Sequence, residues 1–320
     1  MPEDWLNELS IVYYPLFNNF LSFFRKHLTH LFLTIINMMS VYPQSELISP
    51  PQLAQALEHS SLQVVDCRFQ LSDPTWGYEQ YLQGHIAGAV YLHLDRDLSS
   101  PVGRHGGRHP LPEPSQLVKT LARMGIILGE TWVVAYDDSR FAFASRLWWL
   151  LRYLGHERVS LLDGGWQAWQ DAGLAIASGL EEVNPITMVK DFVPTVQSDW
   201  LVDWESLQTK LNFPGTVLVD SRERDRYEGK REPIDPIAGH IEGAICLPWQ
   251  EVTTPDGYCQ APEILRQRWQ DQGKAEEIIV YCGSGVTACV NLFSRTIAGL
   301  PMAKLYPGGW SDWCSYLIKS

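Results

Sequence analysis

A cysteine between a predicted strand and a predicted helix is the residue best placed to do chemistry. The apolar run IIVY at 278–281 predicts a buried strand, and Cys282 follows it, with Gly283 and Gly285 next in the chain. Glycines let backbone N–H groups converge, and a helix beginning there adds its positive end, so a thiolate would be stabilised. The pattern predicts that Cys282 is a nucleophile, against the alternative of a small buried side chain. Cys289, two helical turns later, is predicted to pack in the core.

The elements that must position Cys282 occur twice in the chain. Three motifs of the first half return in the same order in the second, namely Val65-Asp66-x-Arg68, Gly84-His85-Ile86-x-Gly88-Ala89 and Gly164-Gly165-Trp166-x-x-Trp169. In each half, β-branched runs alternate with helical segments, which is typical of an α/β fold with a parallel sheet flanked by helices. The length of 320 residues suits two domains. We predict domains at 41–178 and 198–320, a linker at 179–197 and an extension at 1–40.

The first half lacks the nucleophile. Asp137 stands where the second half has Cys282, and residues 138–141 contain no glycine. Sites in parallel α/β folds lie at the carboxyl ends of strands, so the two positions are equivalent by fold. We therefore predict one inactive and one catalytic domain.

The composition restricts the partners. With 25 Lys and Arg against 37 Asp and Glu, the net charge is −12, which argues against nucleic-acid binding. The six cysteines have neither disulfide-scaffold nor zinc-site spacing, so we expect reduced thiols, no metal, no cofactor and a cytoplasmic location.

The amino-terminal segment 1–37 is apolar and aromatic but interrupted by Arg25, Lys26 and His27. Its uncharged stretches are too short to span a bilayer, so a helix lying on a membrane surface is one interpretation. We favour the other interpretation, an extension without chemistry that precedes the pair Met38 and Met39.

Several segments together resemble the tandem-domain rhodanese family, the thiosulfate and 3-mercaptopyruvate sulfurtransferases. They are both GHIxGA segments, GRHPLP at 107–112, DGGWQAW, DSRERDRYEG and CGSGVTA, and the resemblance runs from about residue 47 to the carboxyl end. It implies an inactive first domain, with Asp137 in place of the cysteine. It also implies that Cys282 carries a sulfane sulfur as a persulfide and passes it to a thiophilic acceptor, either cyanide or a thiol such as thioredoxin.

The same resemblance implies the substrate contacts. Arg226 would bind the small anionic sulfur donor through its guanidinium, whose planar fork suits carboxylate or sulfonate oxygens. The loop that would hold the transferred sulfur consists of Gly283, Ser284, Gly285, Val286 and Thr287.

The motifs leave two donors open. The text CGSG resembles the mercaptopyruvate branch, which implies a Ser–His–Asp arrangement, and Ser284, His85 and Asp73 sit at the matching positions. His240 occupies the same motif position as His85, so both histidines could instead have a structural role and hold a loop in place. That branch often has an arginine where this chain has Asp235. We favour 3-mercaptopyruvate over thiosulfate as donor, and a non-catalytic sulfur-binding or sensing module is the alternative outside enzymes.

Three further features have structural alternatives. Arg104, His105, Arg108 and His109 lie in about ten residues that the second half lacks, and they would form either an entrance for anions or, as we favour, an ordinary surface loop. Arg222 repeats Arg68, which predicts a structural ion pair. A cysteine phosphatase is excluded, because it needs an arginine six residues after the cysteine, where this chain has alanine.

Overall fold

The first half of the chain forms a parallel sheet with helices on both sides. The computed structural model describes residues 45–182 and 194–318. In the first half the strands are β1 (Leu47–Ile48), β2 (Leu62–Asp66), β3 (His85–Ile86), β4 (Val90–Tyr91), β5 (Trp132–Tyr136), β6 (Val159–Leu162) and β7 (Ile176–Ala177). Five of them pair in parallel in the order β1-β6-β5-β2-β4, whereas β3 and β7 form a separate antiparallel pair. The helices are α1 (Pro50–Ala56), α2 (Trp76–Gln83), α3 (Leu94–Asp97), α4 (Pro114–Arg123), α5 (Ala144–Tyr153) and α6 (Gly165–Asp171).

The second half repeats this plan with a smaller sheet. Its strands are β8 (Thr216–Asp220), β9 (Ile245–Cys246), β10 (Glu277–Tyr281) and β11 (Lys304–Leu305), paired in parallel in the order β11-β10-β8-β9. Its α-helices are α7 (Trp204–Lys210), α8 (Arg224–Tyr227), α9 (Pro262–Arg268), α10 (Ala288–Ile297) and α11 (Gly309–Leu317), and short 3₁₀ helices cover Ser198–Trp200, Trp249–Val252 and Gln270–Gln272. The predicted fold class, two α/β repeats with parallel sheets flanked by helices, is confirmed.

The two repeats share one hydrophobic core. Helices α5 and α10, which follow the two equivalent strands β5 and β10, pack against each other. The ring of Phe293 on α10 meets that of Trp148 on α5 edge to face, with the centroids 5.1 Å apart, and both side chains are fully buried. This packing places the loop after each strand beside the neighbouring repeat.

The repeated motifs meet at one buried ion pair in each half. Arg68 binds the Asp66 carboxylate at 2.6 Å, and Arg222 binds Asp220 at the same distance. Each arginine also donates to the carbonyl of the glycine in its GHIxGA segment and lies over the tryptophan of its GGW segment, Trp310 in the second half. The predicted role of Arg222 as a structural ion pair is confirmed.

Helix α4 begins at Pro114, since proline suits the first position of a helix. The extension at 1–40 and residues 183–193 of the predicted linker lie outside the described residues. Within the described ranges, no helix combines the length and apolar character needed to cross a membrane.

We predict that Asp220→Ala lowers the free energy of unfolding by about 3–5 kcal/mol, because it leaves the buried Arg222 charge without its principal partner. The matched control is Lys230→Ala, which removes an exposed ion pair with Glu228 and should cost at most about 1 kcal/mol. Urea denaturation of both variants measures the difference, and equal losses would contradict the assignment.

Candidate active site

Cys282 lies where β10 ends and α10 has not yet begun. Its side chain is buried, and residues 283–287 form the connecting loop. The Cys282 carbonyl accepts a hydrogen bond from the backbone N–H of Trp310 at 2.8 Å, and a Cβ on Gly309 would lie 2.5 Å from that same carbonyl oxygen. Gly309 also has a left-handed φ of 61°. The second glycine of the GGW segment is therefore required for the backbone of α11 to reach the cysteine.

The cysteine loop itself needs glycine at one point for both backbone conformation and space. Gly285 has a φ of 72°, and a Cβ there would lie 2.2 Å from the carbonyl oxygen of Pro307. Of the other predicted loop residues, Val286 and Ser284 are buried, and Thr287 is the last residue before α10. The five residues predicted to hold the sulfur are thus consecutive in one loop beside Cys282.

The equivalent loop of the first half holds an anion of its own. The two carboxylate oxygens of Asp137 accept hydrogen bonds of 2.8–3.0 Å from four backbone N–H groups, those of Ser139, Phe141, Phe143 and Ala144. Burial raises the pKa of Asp137, and these hydrogen bonds oppose the rise. A loop of this kind, between strand and helix, can therefore solvate a negative group with backbone N–H donors alone.

The segment 104–109 of the first repeat docks onto α11 of the second. The backbone N–H of Gly106 donates to the Asp312 carboxylate at 2.6 Å, and the His105 ring stacks on Tyr316 with centroids 4.0 Å apart. Gly107, at a φ of 78°, comes so close to the second repeat that a Cβ would lie 2.4 Å from the carbonyl oxygen of Gly308. The interpretation of this segment as an ordinary surface loop is wrong, because it covers the cysteine loop.

His109, carried by this segment, contacts Ser284. The His109 Nδ1 and Ser284 Oγ are 2.7 Å apart, and the His109 Nε2 is 3.2 Å from the Asp95 carboxylate. Burial lowers the pKa of His109, although Asp95 opposes that effect. The neutral ring must donate its Nε2 proton to the carboxylate, which can only accept, so Nδ1 accepts the proton of the Ser284 hydroxyl. Ser284, His109 and Asp95 therefore form a hydrogen-bonded relay that starts two residues from Cys282.

The predicted partners of Ser284 lie elsewhere. The His85 Nδ1 is 2.7 Å from the Tyr81 carbonyl and its Nε2 is 3.2 Å from the Glu181 carboxylate. His240, its repeat, binds the Tyr227 carbonyl at the same 2.7 Å. Both histidines tie a loop, so the predicted pairing of Ser284 with His85 is wrong. The predicted contribution of Asp73 is also wrong, because its exposed carboxylate accepts from the backbone and hydroxyl of Thr75.

Two arginines lie over the cysteine loop. The nearest atom to a Cβ built on Gly283 would be the Arg108 Nη2 at 2.8 Å, followed by the two terminal nitrogens of Arg226 at 3.7 and 3.8 Å. Arg226 already binds the Glu232 carboxylate at 2.7 Å and the Asp235 carboxylate at 3.2 Å. Arg108 shares Asp235 with it. The sequence identified Arg226, and the structure adds Arg108 from the first repeat.

A third arginine supports the loop from behind. Arg146 of α5 is fully buried and donates to the carbonyls of His109 and Gly285, both at 3.1 Å. It thus joins the relay to the cysteine loop across the two repeats, and its Nε has no hydrogen-bond partner among the described residues. Cys289 lies close by, where burial raises its pKa to about 12, so it stays a neutral thiol, as its predicted core position requires.

Sequence reasoning left four residues out of the site, namely Arg108 and His109, which it favoured as part of an ordinary surface loop, and Asp95 and Arg146. A signal existed for the first two, because Gly106 and Gly107 directly precede them in a segment without counterpart in the second half. A glycine pair before polar side chains allows a close approach of the chain to another backbone. Asp95 and Arg146 carry no such local signal.

Comparison with known proteins identifies the family. The family described as "Rhodanese-like domain" matches residues 49–172 and again 203–316. The chain is 45% identical over 275 residues to a "Probable 3-mercaptopyruvate sulfurtransferase" of Pseudomonas aeruginosa, with 84% of this chain and 95% of the relative covered. A "Putative thiosulfate sulfurtransferase SseB" of Mycobacterium tuberculosis is 36% identical over 276 residues, covering 84% and 94%.

The comparison with solved structures indicates the same family. The solved structure of a 3-mercaptopyruvate sulfurtransferase from Leishmania major superposes with a TM-score of 0.74 at 31% identity, covering 86% of this chain and 75% of that one. The prediction of a rhodanese-type sulfurtransferase is confirmed, and the chain belongs to the rhodanese family.

Proposed function

We propose that the protein transfers sulfur from 3-mercaptopyruvate to a thiol acceptor through a persulfide on Cys282. The observation that carries the choice of donor is the relay of Ser284, His109 and Asp95 beside the cysteine. A donor whose sulfur leaves from carbon needs a proton at that carbon, and this relay can supply it.

The relay balances the protons of the first step. Ser284 accepts the Cys282 thiol proton while donating its own to His109, whose imidazolium Asp95 stabilises. The thiolate then attacks the sulfur of 3-mercaptopyruvate, so that an S–S bond forms, the C–S bond breaks and its electron pair goes to carbon. The resulting enolate takes the proton back through Ser284 and leaves as pyruvate.

The second step needs only the acceptor. A thiolate, or cyanide, attacks the outer sulfur of the persulfide, takes it and releases the Cys282 thiolate. The backbone N–H groups of the loop would solvate the anionic sulfur in the interval, in the way the Asp137 carboxylate is solvated in the first repeat. We propose a small thiol or a thioredoxin-like protein as acceptor and a cytoplasmic location, since reduced thiols suit that compartment.

Cys282→Ser is predicted to abolish sulfur transfer, because the persulfide forms on that sulfur, whereas Cys289→Ser should retain it. Incubation with 3-mercaptopyruvate in the absence of acceptor, followed by intact-protein mass measurement, should show one added sulfur atom on the wild type and on Cys289→Ser. If the wild-type protein gains no sulfur from either 3-mercaptopyruvate or thiosulfate, the proposed enzyme activity is contradicted and a non-catalytic module is favoured.

His109→Gln is predicted to lower kcat with 3-mercaptopyruvate by about 10²–10⁴-fold, because the enolate loses its proton relay. Thiosulfate releases sulfite, which needs no proton on carbon, so its turnover should fall much less. The matched control is His85→Gln, which changes a buried histidine outside the relay and should keep the ratio between the donors. Equal losses with both donors in His109→Gln would contradict a proton-relay role.

A direct comparison of donors tests the substrate. We expect kcat/KM to be about tenfold or more higher for 3-mercaptopyruvate than for thiosulfate, since the site offers both a carboxylate-binding cation and a proton relay. A clear preference for thiosulfate would defeat this choice and leave the thiosulfate sulfurtransferase as the activity.

A further inference from the structure

A cavity of about 850 Å³ lies at the amino-terminal end of β10, whereas Cys282 follows the carboxyl end of that strand. Its walls come from α9 and the 3₁₀ helix after it, the last turn of α10 and the segment 300–304. The volume is typical of sites for small molecules. Among the described residues, the cavity and the cysteine loop have no wall residue in common, so the two are separate features of the second repeat.

Arg295, in the wall of this cavity, is a buried cation without an acidic partner. It is 7% exposed, its Nε donates to the carbonyl of Pro301 at 3.0 Å, and its guanidinium lies 4.9 Å from the centroid of the Trp269 ring. Within the described residues, its two terminal nitrogens have no hydrogen-bond partner and no carboxylate binds it. Burial lowers the pKa of Arg295. Since buried charges in proteins are ordinarily paired, this guanidinium can still bind an anion.

Arg266 reaches the same cavity from α9. Its Nε donates to the Ala298 carbonyl at 3.0 Å, directly after the end of α10. Each arginine thus uses one N–H group on a carbonyl at or beyond the end of α10, where a cation suits the helix dipole. The other N–H groups of Arg266 and Arg295 have no partner among the described residues, so they are left for a ligand.

The carboxylates in the wall do not neutralise these two arginines. Glu277 binds Lys210 at 2.8 Å and Lys304 at 2.7 Å, so its charge is already balanced. Glu263 and Glu276 are exposed to solvent, and neither forms an ion pair with a described arginine. The positive charge of the two guanidiniums beside the cavity is therefore uncompensated.

The first repeat has apolar residues in place of both arginines. Counted from the proline that begins α4 and α9, Arg266 corresponds to Val118, and counted from the glycine that follows α5 and α10, Arg295 corresponds to Leu151. Val118 and Leu151 are both buried in the core. The two cations are thus a property of the second repeat and are not required by the shared fold.

The end of α5 in the first repeat is covered by the linker between the repeats. The backbone N–H of Gln197 donates to the Tyr153 carbonyl at 2.9 Å, and a Cβ on Gly155 would lie 3.0 Å from the carbonyl oxygen of Thr195. Val196 packs against the hydrophobic core. At the corresponding end of α10 the second repeat has the cavity. A place that a chain segment fills in one repeat is thus accessible to a ligand in the other.

We propose that the cavity binds a small amphipathic carboxylate, with its charged end on Arg295 and Arg266 and its apolar part against Ile278, Leu300 and Met302. The planar fork of a guanidinium suits the two oxygens of a carboxylate, and an apolar chain displaces water from the apolar wall. A medium-chain fatty acid is a ligand of this class. The inference goes beyond the proposed sulfur transfer and does not depend on it.

The test is calorimetric titration of the full chain with sodium octanoate. We expect one site with a Kd below about 1 mM, and Arg295→Met should weaken binding about tenfold or more, because a charge-assisted hydrogen bond is lost. The matched control is Arg123→Met, which changes an exposed arginine at the end of α4, the helix that corresponds to α9. This control should bind octanoate as the wild type does.

Two further variants keep the test valid if the loss of the buried Arg295 lowers stability. Arg266→Met removes the exposed cation, and Ala275→Trp fills the cavity while both arginines stay in place. Both should weaken octanoate binding, and thermal denaturation without octanoate shows that each variant is folded. Unchanged binding in Arg266→Met, Arg295→Met and Ala275→Trp would overturn the site.

Three further probes test the ligand class and the location. Octanamide, which lacks the charge, and acetate, which lacks the apolar chain, should both bind more weakly than octanoate, and equal binding of octanamide would overturn the carboxylate assignment. Octanoate should bind equally well in the presence of excess pyruvate, because its site is separate from that of Cys282, and displacement by pyruvate would place it in the active site instead. A wild-type protein that forms no persulfide would contradict the proposed function but leave this inference standing.

Discussion

The packing of α5 against α10 is the contact on which the rest of the site depends. It places the strand-end loop of each repeat next to the other repeat, and each loop is then covered by its neighbour. The segment 104–109 covers the cysteine loop, while Arg140 in the first repeat's loop donates to Thr253 at 2.8 Å in the second. The contacts are reciprocal in position but differ in chemistry, because the segment 104–109 brings a histidine and an arginine to the cysteine loop, whereas Arg140 meets a threonine.

The strand-end loops of the two repeats carry different groups at equivalent positions, Asp137 in the first and Cys282 in the second. The loop of the first repeat gathers backbone N–H groups at the carboxyl end of a central strand, which favours an anion there. The first repeat satisfies these donors permanently with the Asp137 carboxylate. The second repeat has the buried Cys282 at the equivalent position, with Arg108 and Arg226 over its loop. A protein with a net charge of −12 can thus bind a small anion, because the relevant positive potential is local and comes from backbone dipoles and a few arginines.

The features that depend on neighbouring residues in the chain could be predicted from the sequence. The repeated motifs, the strand before Cys282 and the glycines after it predict the fold, the nucleophile and its loop, and the recurrence of Arg68 as Arg222 predicts an ion pair. The relay could not be found in this way, since Ser284 and His109 are 175 residues apart in the chain and meet only through the docking of the repeats. The predicted pairing of His85 with Ser284 was wrong because His85 belongs to a repeated motif. In both halves the histidine of that motif binds a backbone carbonyl and has a structural role.

The buried Arg146 of the first repeat binds the cysteine loop of the second. Its guanidinium donates to the carbonyls of His109 and Gly285, so one side chain is a structural part of both the relay and the cysteine loop. Loss of the first copy would remove this arginine and His109 together and would also expose the hydrophobic core that the two repeats share. The chain therefore cannot be divided into its two repeats without breaking both the relay and the shared core, although its sequence is an internal duplication.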